Sequence, residues 1–245
     1  MLTATLLGSA QDGGVPQAGC RCTHCAAALA DREFERLPAS LALRGPAGVQ
    51  LFEATRELAR QLALAGGGTP AAVWLTHGHL GHVGGLGQFG AEVMDARGVP
   101  LHCSPAVAER LRATPGWRAL LDGGHLRLRE WRSGEPVAGD GFAVTPLPVP
   151  HRSEAGDTHA LLVAGKRKLL FLPDHDSWAA TLAAPTSCCS TAPSGPRTSC
   201  RGRTQCRTRR WLRRLIGSVR VGHATRASSS STFTSPLSPS YASDQ

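Results

Sequence analysis

The sequence lacks any run of the roughly 18–20 apolar residues that a membrane-spanning helix needs, which argues against an integral membrane protein. No basic residue precedes the apolar opening Met1-Leu2-Thr3-Ala4-Thr5-Leu6-Leu7. A first β-strand is therefore expected there rather than a cleaved export signal, and the expected location is cytoplasmic. Aromatic residues make up only 5% of the 245 positions, and glycine does not recur in triplets, which excludes fibrous classes. A chain of this length has room for one globular domain or two small ones.

Lysine and acid are nearly absent from the last quarter. Residues 1–181 carry 17 Lys/Arg and 17 Asp/Glu, whereas residues 182–245 carry 10 Arg, no Lys and a single acid, Asp244. The whole net charge of +9 therefore belongs to the tail. A basic surface can attract phosphates, but this one sits in text of a different kind, with 13 Ser, 8 Thr, 5 Pro and the cysteines 188, 189, 200 and 206. Only Trp211–Val221 has enough apolar residues for a short helix, and the closing stretch from Ser228 is expected to be disordered because it cannot offset its ordering entropy. Two regions are expected: a patterned domain over 1–181, and a tail over 182–245 that reads as an out-of-frame or degenerate continuation. A patterned alternative frame in the encoding DNA would support that reading of the tail. A nucleic-acid partner is not expected, and oligomeric state is not encoded in any motif.

Within the first 181 residues, strands are expected at Met1–Leu7, Ala71–Leu75, Val99–Cys103 and Phe142–Val149. Hairpins are expected over Ser40–Leu43/Val49–Phe52 and Ala160–Val163/Lys168–Leu172. Helices are expected at Thr55–Leu64, Val83–Ala96 and Pro105–Arg112. Single helices inserted among short hairpins favour a mixed α/β sandwich over a doubly wound sheet.

Two clusters carry chemistry. In Thr76-His77-Gly78-His79-Leu80-Gly81-His82, three histidines lie between an apolar strand and a helix start. Neutral imidazole is the commonest ligand for zinc and similar metals, and a chance surface cluster is the alternative. In Cys20-Arg21-Cys22-Thr23-His24-Cys25, three thiols stand at the spacing of a structural zinc site. Disulfides and buried free thiols are the alternatives, although C-x-C does not easily cross-link itself. His24 is the nearest fourth ligand, with a distant His or a water equally suitable.

The segment THGHLGHVGGL resembles the T-H-x-H-x-D-H motif of the metallo-β-lactamase superfamily, and Val149-Pro150-His151 and Phe171-Leu172-Pro173-Asp174 follow in the family's order. GSAQDGGVPQAGCRCTHCAAA is similar to the start of the branch that holds coenzyme PQQ synthesis protein B and the cyclic phosphodiesterase of phosphonate breakdown. LPASLALRGPAGVQLFEAT also follows the first of these, with Glu53 where Asp is usual, and VPVPHRSEAGDTHALLV and LLFLPDHDSW resemble it more closely than they resemble the phosphodiesterase. The resemblance implies an αββα sandwich, incomplete at its C-terminus, with zinc or iron held by His77, His79 and His151. It implies that Asp174 is shared with a second metal at His82, and that Cys20, Cys22 and Cys25 hold structural zinc. As catalytic residues it implies Asp174 and His151, and as substrate a small molecule, a precursor of pyrroloquinoline quinone.

This chain departs from the motif at Gly81, where the family has an Asp. The family's last histidine has only His223 as a candidate. His82 and Asp174 alone are too few for a tight second site, so a mononuclear centre is expected, with His175 and Asp176 as weaker substitutes. Three readings follow: a PQQ-pathway enzyme of hydrolase or oxygenase type with impaired turnover, a phosphodiester or ester hydrolase, or a non-catalytic zinc protein. Arg152 and Glu154 are candidates for orienting His151, and Asp12 for lining the cleft. Cys103, His102, His125 and the tryptophans Trp117, Trp131 and Trp178 are expected to be structural, and His159, at the start of a strand, to be a half-exposed polar position. Arg127, Arg129 and Arg132 are expected to form a solvated face.

Overall fold

Alternating apolar residues on either side of a tight Pro46-Ala47 turn build the centre of the first sheet. Strands β2 (Ser40–Gly45) and β3 (Gly48–Phe52) pair there with Leu41 opposite Phe52 and Leu43 opposite Gln50. The structure is a computed structural model that describes residues 2–152, 154 and 156–177. Strand β1 (Thr3–Gly8) adds antiparallel to β2, while β4 (Ala72–Trp74), β5 (Val99–Cys103) and β6 (Leu126–Glu130) continue in parallel from β3. The order of this six-stranded sheet is β1-β2-β3-β4-β5-β6. A second, antiparallel sheet has the order β10-β9-β8-β7, from β7 (Val137–Ala138), β8 (Ala143–Pro148), β9 (His159–Ala164) and β10 (Lys168–Phe171).

The period-two alternation sorts each strand's side chains between two cores. Ala42, Leu51, Val73 and Leu101 face α2 (Leu58–Leu64) and α4 (Pro105–Ala113), meeting Leu58, Leu62, Val107 and Leu111. Leu41, Leu43, Phe52 and Trp74 face the second sheet, where Val144, Leu161, Val163 and Phe171 close the layer. Burial of each such side chain contributes about 1.5–3 kcal/mol. Helix α5 (Pro115–Asp122) and the short α3 (Leu80–Val83) complete the described helical layer, and α1 (Thr23–Ala30) lies in the connection between β1 and β2. A helical layer on one sheet and a second sheet against the other face match the mixed α/β expectation. Among the described residues, no helix is long and apolar enough to cross a membrane.

The helix expected over Val83–Ala96 is not formed. Helix α3 starts earlier, at Leu80, and Leu86–Phe89 is a 3-10 turn, because Gly84, Gly85, Gly87 and Gly90 punctuate the segment and weaken any longer helix. Gly85 also packs against backbone, its absent Cβ position lying 2.1 Å from the Thr55 carbonyl oxygen. The arginine run expected as a solvated face is one, but Arg127 and Arg129 lie on a strand, β6, with Leu126 and Leu128 alternating inward. Cys103, Trp131 and His125 are buried, and Trp117 packs partly buried against the core. His159 is fully buried rather than half-exposed, with its Nε2 2.6 Å from the Ser133 hydroxyl. The tail from residue 182, with its expected helix at Trp211–Val221 and disordered end, and Trp178 lie outside the described residues.

Candidate metal centre

The donors of the histidine group sit past the ends of strands, on one edge of the sandwich, with His82 inside α3. The segment after β4 carries His77, His79 and His82, the segment after β8 carries His151, and the segment after β10 carries Asp174. Strand ends suit this task because the sheet fixes the backbone up to the last paired residue while the loop is free to aim its side chain. Two hydrogen bonds tie the loops together: the His159 amide donates to the Thr76 carbonyl at 3.0 Å, and the Asp176 amide to the Pro150 carbonyl at 2.9 Å.

His77, His79, His151 and Asp174 each direct one ligand atom into a shared volume, all within 4.8 Å of one another. The inward atoms are identifiable from what holds the opposite side of each ring. His77 Nδ1 lies 2.9 Å from the Thr76 hydroxyl, His79 Nε2 lies 3.2 Å from Glu154 Oε1, and His151 Nδ1 lies 2.9 Å from Asp176 Oδ1. That leaves His77 Nε2, His79 Nδ1 and His151 Nε2 facing inward, with the first two 2.8 Å apart. Oxygen partners on the outer nitrogens are the usual means of fixing the tautomer and orientation of a ligating imidazole.

Asp174 Oδ2 lies 3.3 Å from His77 Nε2, 3.1 Å from His82 Nε2 and 3.7 Å from His151 Nε2, the position of a shared carboxylate. Contacts with His77 and His82 hold the Asp174 carboxyl far below the usual carboxylate range. His82 is buried at 3% exposure, behind the first group. Burial works against its protonation, but the charge of Glu53 and the contacts with Asp12, Asp174 and Glu53 outweigh it and raise the ring to about 12. The His79 ring is lowered, first by burial and then by the neighbouring His77.

The donors fit a bound metal on structural grounds. His151 Nε2 and both ring nitrogens of His82 are buried without a hydrogen-bond partner, a costly state for polar atoms that have no other use. Three imidazoles and a carboxylate suit zinc and iron alike.

Several residues serve otherwise than expected. Glu154 faces His79 rather than His151, and Asp176 holds the outer side of His151 rather than joining a second donor group. Glu53, fully buried with φ +70, accepts the Thr76 amide at 3.2 Å and places Oε2 3.6 Å from His82 Nδ1. The left-handed backbone at Glu53 costs about 1–2 kcal/mol, and it turns the carboxylate beneath the motif. The second donor group, expected to contain only His82 and Asp174, also includes Asp12.

Cys20, Cys22 and Cys25 come together as the spacing predicts, their sulfurs within 4.8 Å of one another and unbridged. Cys22 precedes α1 and Cys25 lies in its first turn, so one helical turn brings them to the same side. The Cys25 amide, with help from the neighbouring thiols, lowers the Cys22 thiol to about 7. The Gln17 amide, 3.4 Å from Cys25 Sγ, draws that thiol down, but burial and the adjacent thiols outweigh it and raise it. His24, the nearest candidate for a fourth ligand, is exposed and stands outside the group.

Comparison with known proteins places this geometry. The beta-lactamase superfamily domain matches residues 46–188. Coenzyme PQQ synthesis protein B of Methylobacterium sp. (strain 4-46) is 31% identical over 200 residues, covering 70% of this chain and 65% of that protein. Its counterpart in Methylobacterium nodulans is also 31% identical, over 207 residues and the same shares. The chain thus spans about 65% of the length of the curated relatives it matches. Among solved structures, Zn(2+)-bound PqqB from Methylobacterium extorquens superposes with a TM-score of 0.60 at 21% identity, over 69% of this chain and 64% of that one. A diphosphatase of the PhnP family superposes with a TM-score of 0.54 at 23% identity, over 67% and 63%. The fold is therefore that of the metallo-β-lactamases, and the chain belongs to the β-lactamase superfamily.

Proposed function

We propose that the chain is a metal-dependent enzyme of the PQQ synthesis protein B type, acting on a small-molecule precursor of pyrroloquinoline quinone. The observation that carries this reading is the paired arrangement of His77, His79 and His151, each with one nitrogen turned inward toward Asp174 and the other backed by an oxygen. Three orientations fixed independently by Thr76, Glu154 and Asp176 exceed what packing alone requires. These histidines and Asp174 would hold zinc or iron, and Cys20, Cys22 and Cys25 would hold a structural zinc.

A metal held by these residues would supply Lewis-acid chemistry toward an oxygen atom, or, in the case of iron, redox chemistry. The chain's own residues supply the rest. Asp174 stays ionised, placing a fixed negative charge at the centre of the donor group. Glu154 and Asp12, with side chains 59% and 47% exposed, stand on the open side, where a substrate enters. Buried Glu53 and Thr76 keep the motif loop from shifting when it does.

A second reading, phosphodiester or ester hydrolysis, is favoured by one feature: the group of Asp12, His82 and Asp174 adjoins the first and shares Asp174 with it. Paired sites of this kind stabilise both the attacking and leaving oxygens of an in-line displacement.

The two readings separate in one experiment. The full chain and its His77→Ala and Cys22→Ala variants are expressed in a host that lacks its own PQQ synthesis protein B, with pyrroloquinoline quinone and metal content measured. The expected result is restored quinone with the parent chain only, and loss of a different metal in each variant. A soluble, metal-loaded chain that restores no quinone but hydrolyses bis(p-nitrophenyl) phosphate, dependent on His77, would replace the first reading with the second. Metal lost only with Cys22→Ala would leave the non-catalytic zinc protein.

A further inference from the structure

Gly81 stands where the motif's carboxylate is expected, and the space beside it is already filled. A Cβ placed on residue 81 would lie 2.1 Å from Asp12 Cγ, 2.5 Å from Asp12 Cβ and 2.5 Å from Asp12 Oδ1. The backbone does not call for glycine there. Residue 81 lies inside α3, where glycine costs about 0.5–1 kcal/mol relative to alanine, and it is not among the positive-φ glycines. What the position does require is room, and the group using that room is the Asp12 carboxylate. A side chain at 81 and the side chain of Asp12 exclude each other.

Asp12 is brought there by a loop with many fixed points. The Gly14 amide donates to the Gln11 carbonyl at 2.7 Å, and Val15 and Arg36 exchange amide–carbonyl bonds at 2.8 Å. The Ala10 amide donates to the Leu37 carbonyl at 2.9 Å, and the Arg56 guanidinium donates to the Gly13 carbonyl. From this loop Asp12 Oδ1 lies 3.3 Å from His82 Nε2, and Asp174 Oδ2 lies 3.1 Å from the same nitrogen. One ligand atom from each of the three residues falls within 4.8 Å of the others.

His82 is the independent sign that the group faces a ligand. It is 97% buried by its 3% exposure, and its Nε2 points between two carboxylates without a hydrogen bond to either. From behind, Glu53 stands 3.6 Å from Nδ1, and the His82 carbonyl accepts the Ala54 amide at 2.9 Å, so the ring is held toward the gap. Three carboxylates thus converge on one imidazole, an excess of negative charge that a divalent cation between Asp12 and Asp174 compensates.

We propose that Asp12 replaces the carboxylate missing at position 81, so that Asp12, His82 and Asp174 hold a second divalent cation beside the His77/His79/His151 site, with Asp174 shared. This deepens the metal-centre reading above and rests on it. Three protein ligands leave a coordination position for substrate or water, as in catalytic sites. Two oxygens and one nitrogen make the second site harder than the first, and suited to Mn²⁺.

Manganese is therefore the probe, since thiolates of the Cys20 group compete poorly for it. The full chain, stripped with chelator, is brought to equilibrium dialysis against Mn²⁺ and examined by elemental analysis and electron paramagnetic resonance. The expected result is two Mn²⁺ per chain with an exchange-coupled spectrum. Asp12→Ala should bind one with an uncoupled spectrum, and Asp12→Gly combined with Gly81→Asp, which also clears the Cβ at position 12, should regain two. Retention of two coupled ions in Asp12→Ala overturns the proposal. So does a parent chain that saturates at one ion lost with His77→Ala, an outcome that leaves the first site standing. Manganese binding indifferent to His77→Ala would overturn the metal centre itself and this proposal with it.

Discussion

At the scale of single residues, the inward-facing histidines are only half of the candidate centre, and the other half is the set of oxygens behind them. Asp176 illustrates why. Its Oδ1, 2.9 Å from His151 Nδ1, decides which nitrogen of that ring is free to face inward. Replacing such an outer partner typically costs 10–100-fold in metal affinity. Asp176→Ala is therefore expected to weaken metal binding at the histidine site about 10–100-fold, read by competition with a chromophoric chelator. The Cys20 group, built on a different loop, should keep its metal, and equal weakening at both would mean a general loss of structure. His77, His79, His82 and the cysteines were legible in the sequence because their spacing is local, and His151 and Asp174 because the resemblance to the metallo-β-lactamase superfamily marks them. Thr76 carried a local signal too, as the neighbour of His77. Glu154 and Asp12 stood out as site residues, but the rings they meet did not. Glu154 meets His79 across 75 positions and Asp12 meets His82 across 70, and no local pattern specifies a contact between loops that only the sheets bring together.

At the scale of elements, strands with a two-residue repeat and a clear turn were readable. The β2/β3 and β9/β10 hairpins fall where alternation and their Gly-containing turns put them. Reading failed where two signals conflicted. The segment after His82 has helical apolar spacing, but four glycines prevent it from propagating, and β6 hid its alternation beneath arginines. Helix α4 shows the opposite case, with Ser104, Pro105 and an apolar face agreeing on where it starts. The Ser104 hydroxyl oxygen accepts the Val107 amide at 3.2 Å while its proton goes to Asp157, in the loop that leads into β9. Nothing replaces either bond at this fully buried position. Ser104→Ala should lower stability by about 1–2 kcal/mol, measured as the urea midpoint, with Ser104→Thr recovering most of it. An unchanged midpoint would mean that the Pro105 start alone fixes the helix.

At the scale of the whole molecule, the two sheets are locked by an aromatic stack whose members come from distant strands. Trp74 of β4 lies nearly parallel to Trp131 with centroids 6.3 Å apart, meets Phe142 edge-on, and has the His102 ring of β5 stacked on it at 3.8 Å. Composition gave little hint of this, since a few aromatic rings suffice once they share one layer. His102 looked structural in the sequence, and in the fold it is also a group that couples this layer to pH. Burial, aided by the charge of Arg129, pushes its ring down to about 4. In the unfolded chain the same ring titrates near its ordinary value of about 6.5. Between those two values the unfolded state binds the proton and the folded state does not, so acidification through this window favours unfolding. The contribution is fully present above pH about 6.5 and is lost progressively down to pH about 4, amounting to about 1–3 kcal/mol after allowance for partial exposure. His102→Phe keeps an aromatic ring against Trp74 and removes the proton. In chelator-stripped protein, where the metal ligands contribute equally to both chains, the variant's melting temperature should fall less steeply between pH 6.5 and 4 than the parent's. Parallel curves would mean that the stacked imidazole takes up its proton within the fold, and that the acid sensitivity of the sandwich resides in other groups, buried His159 against Trp131 and the carboxylates.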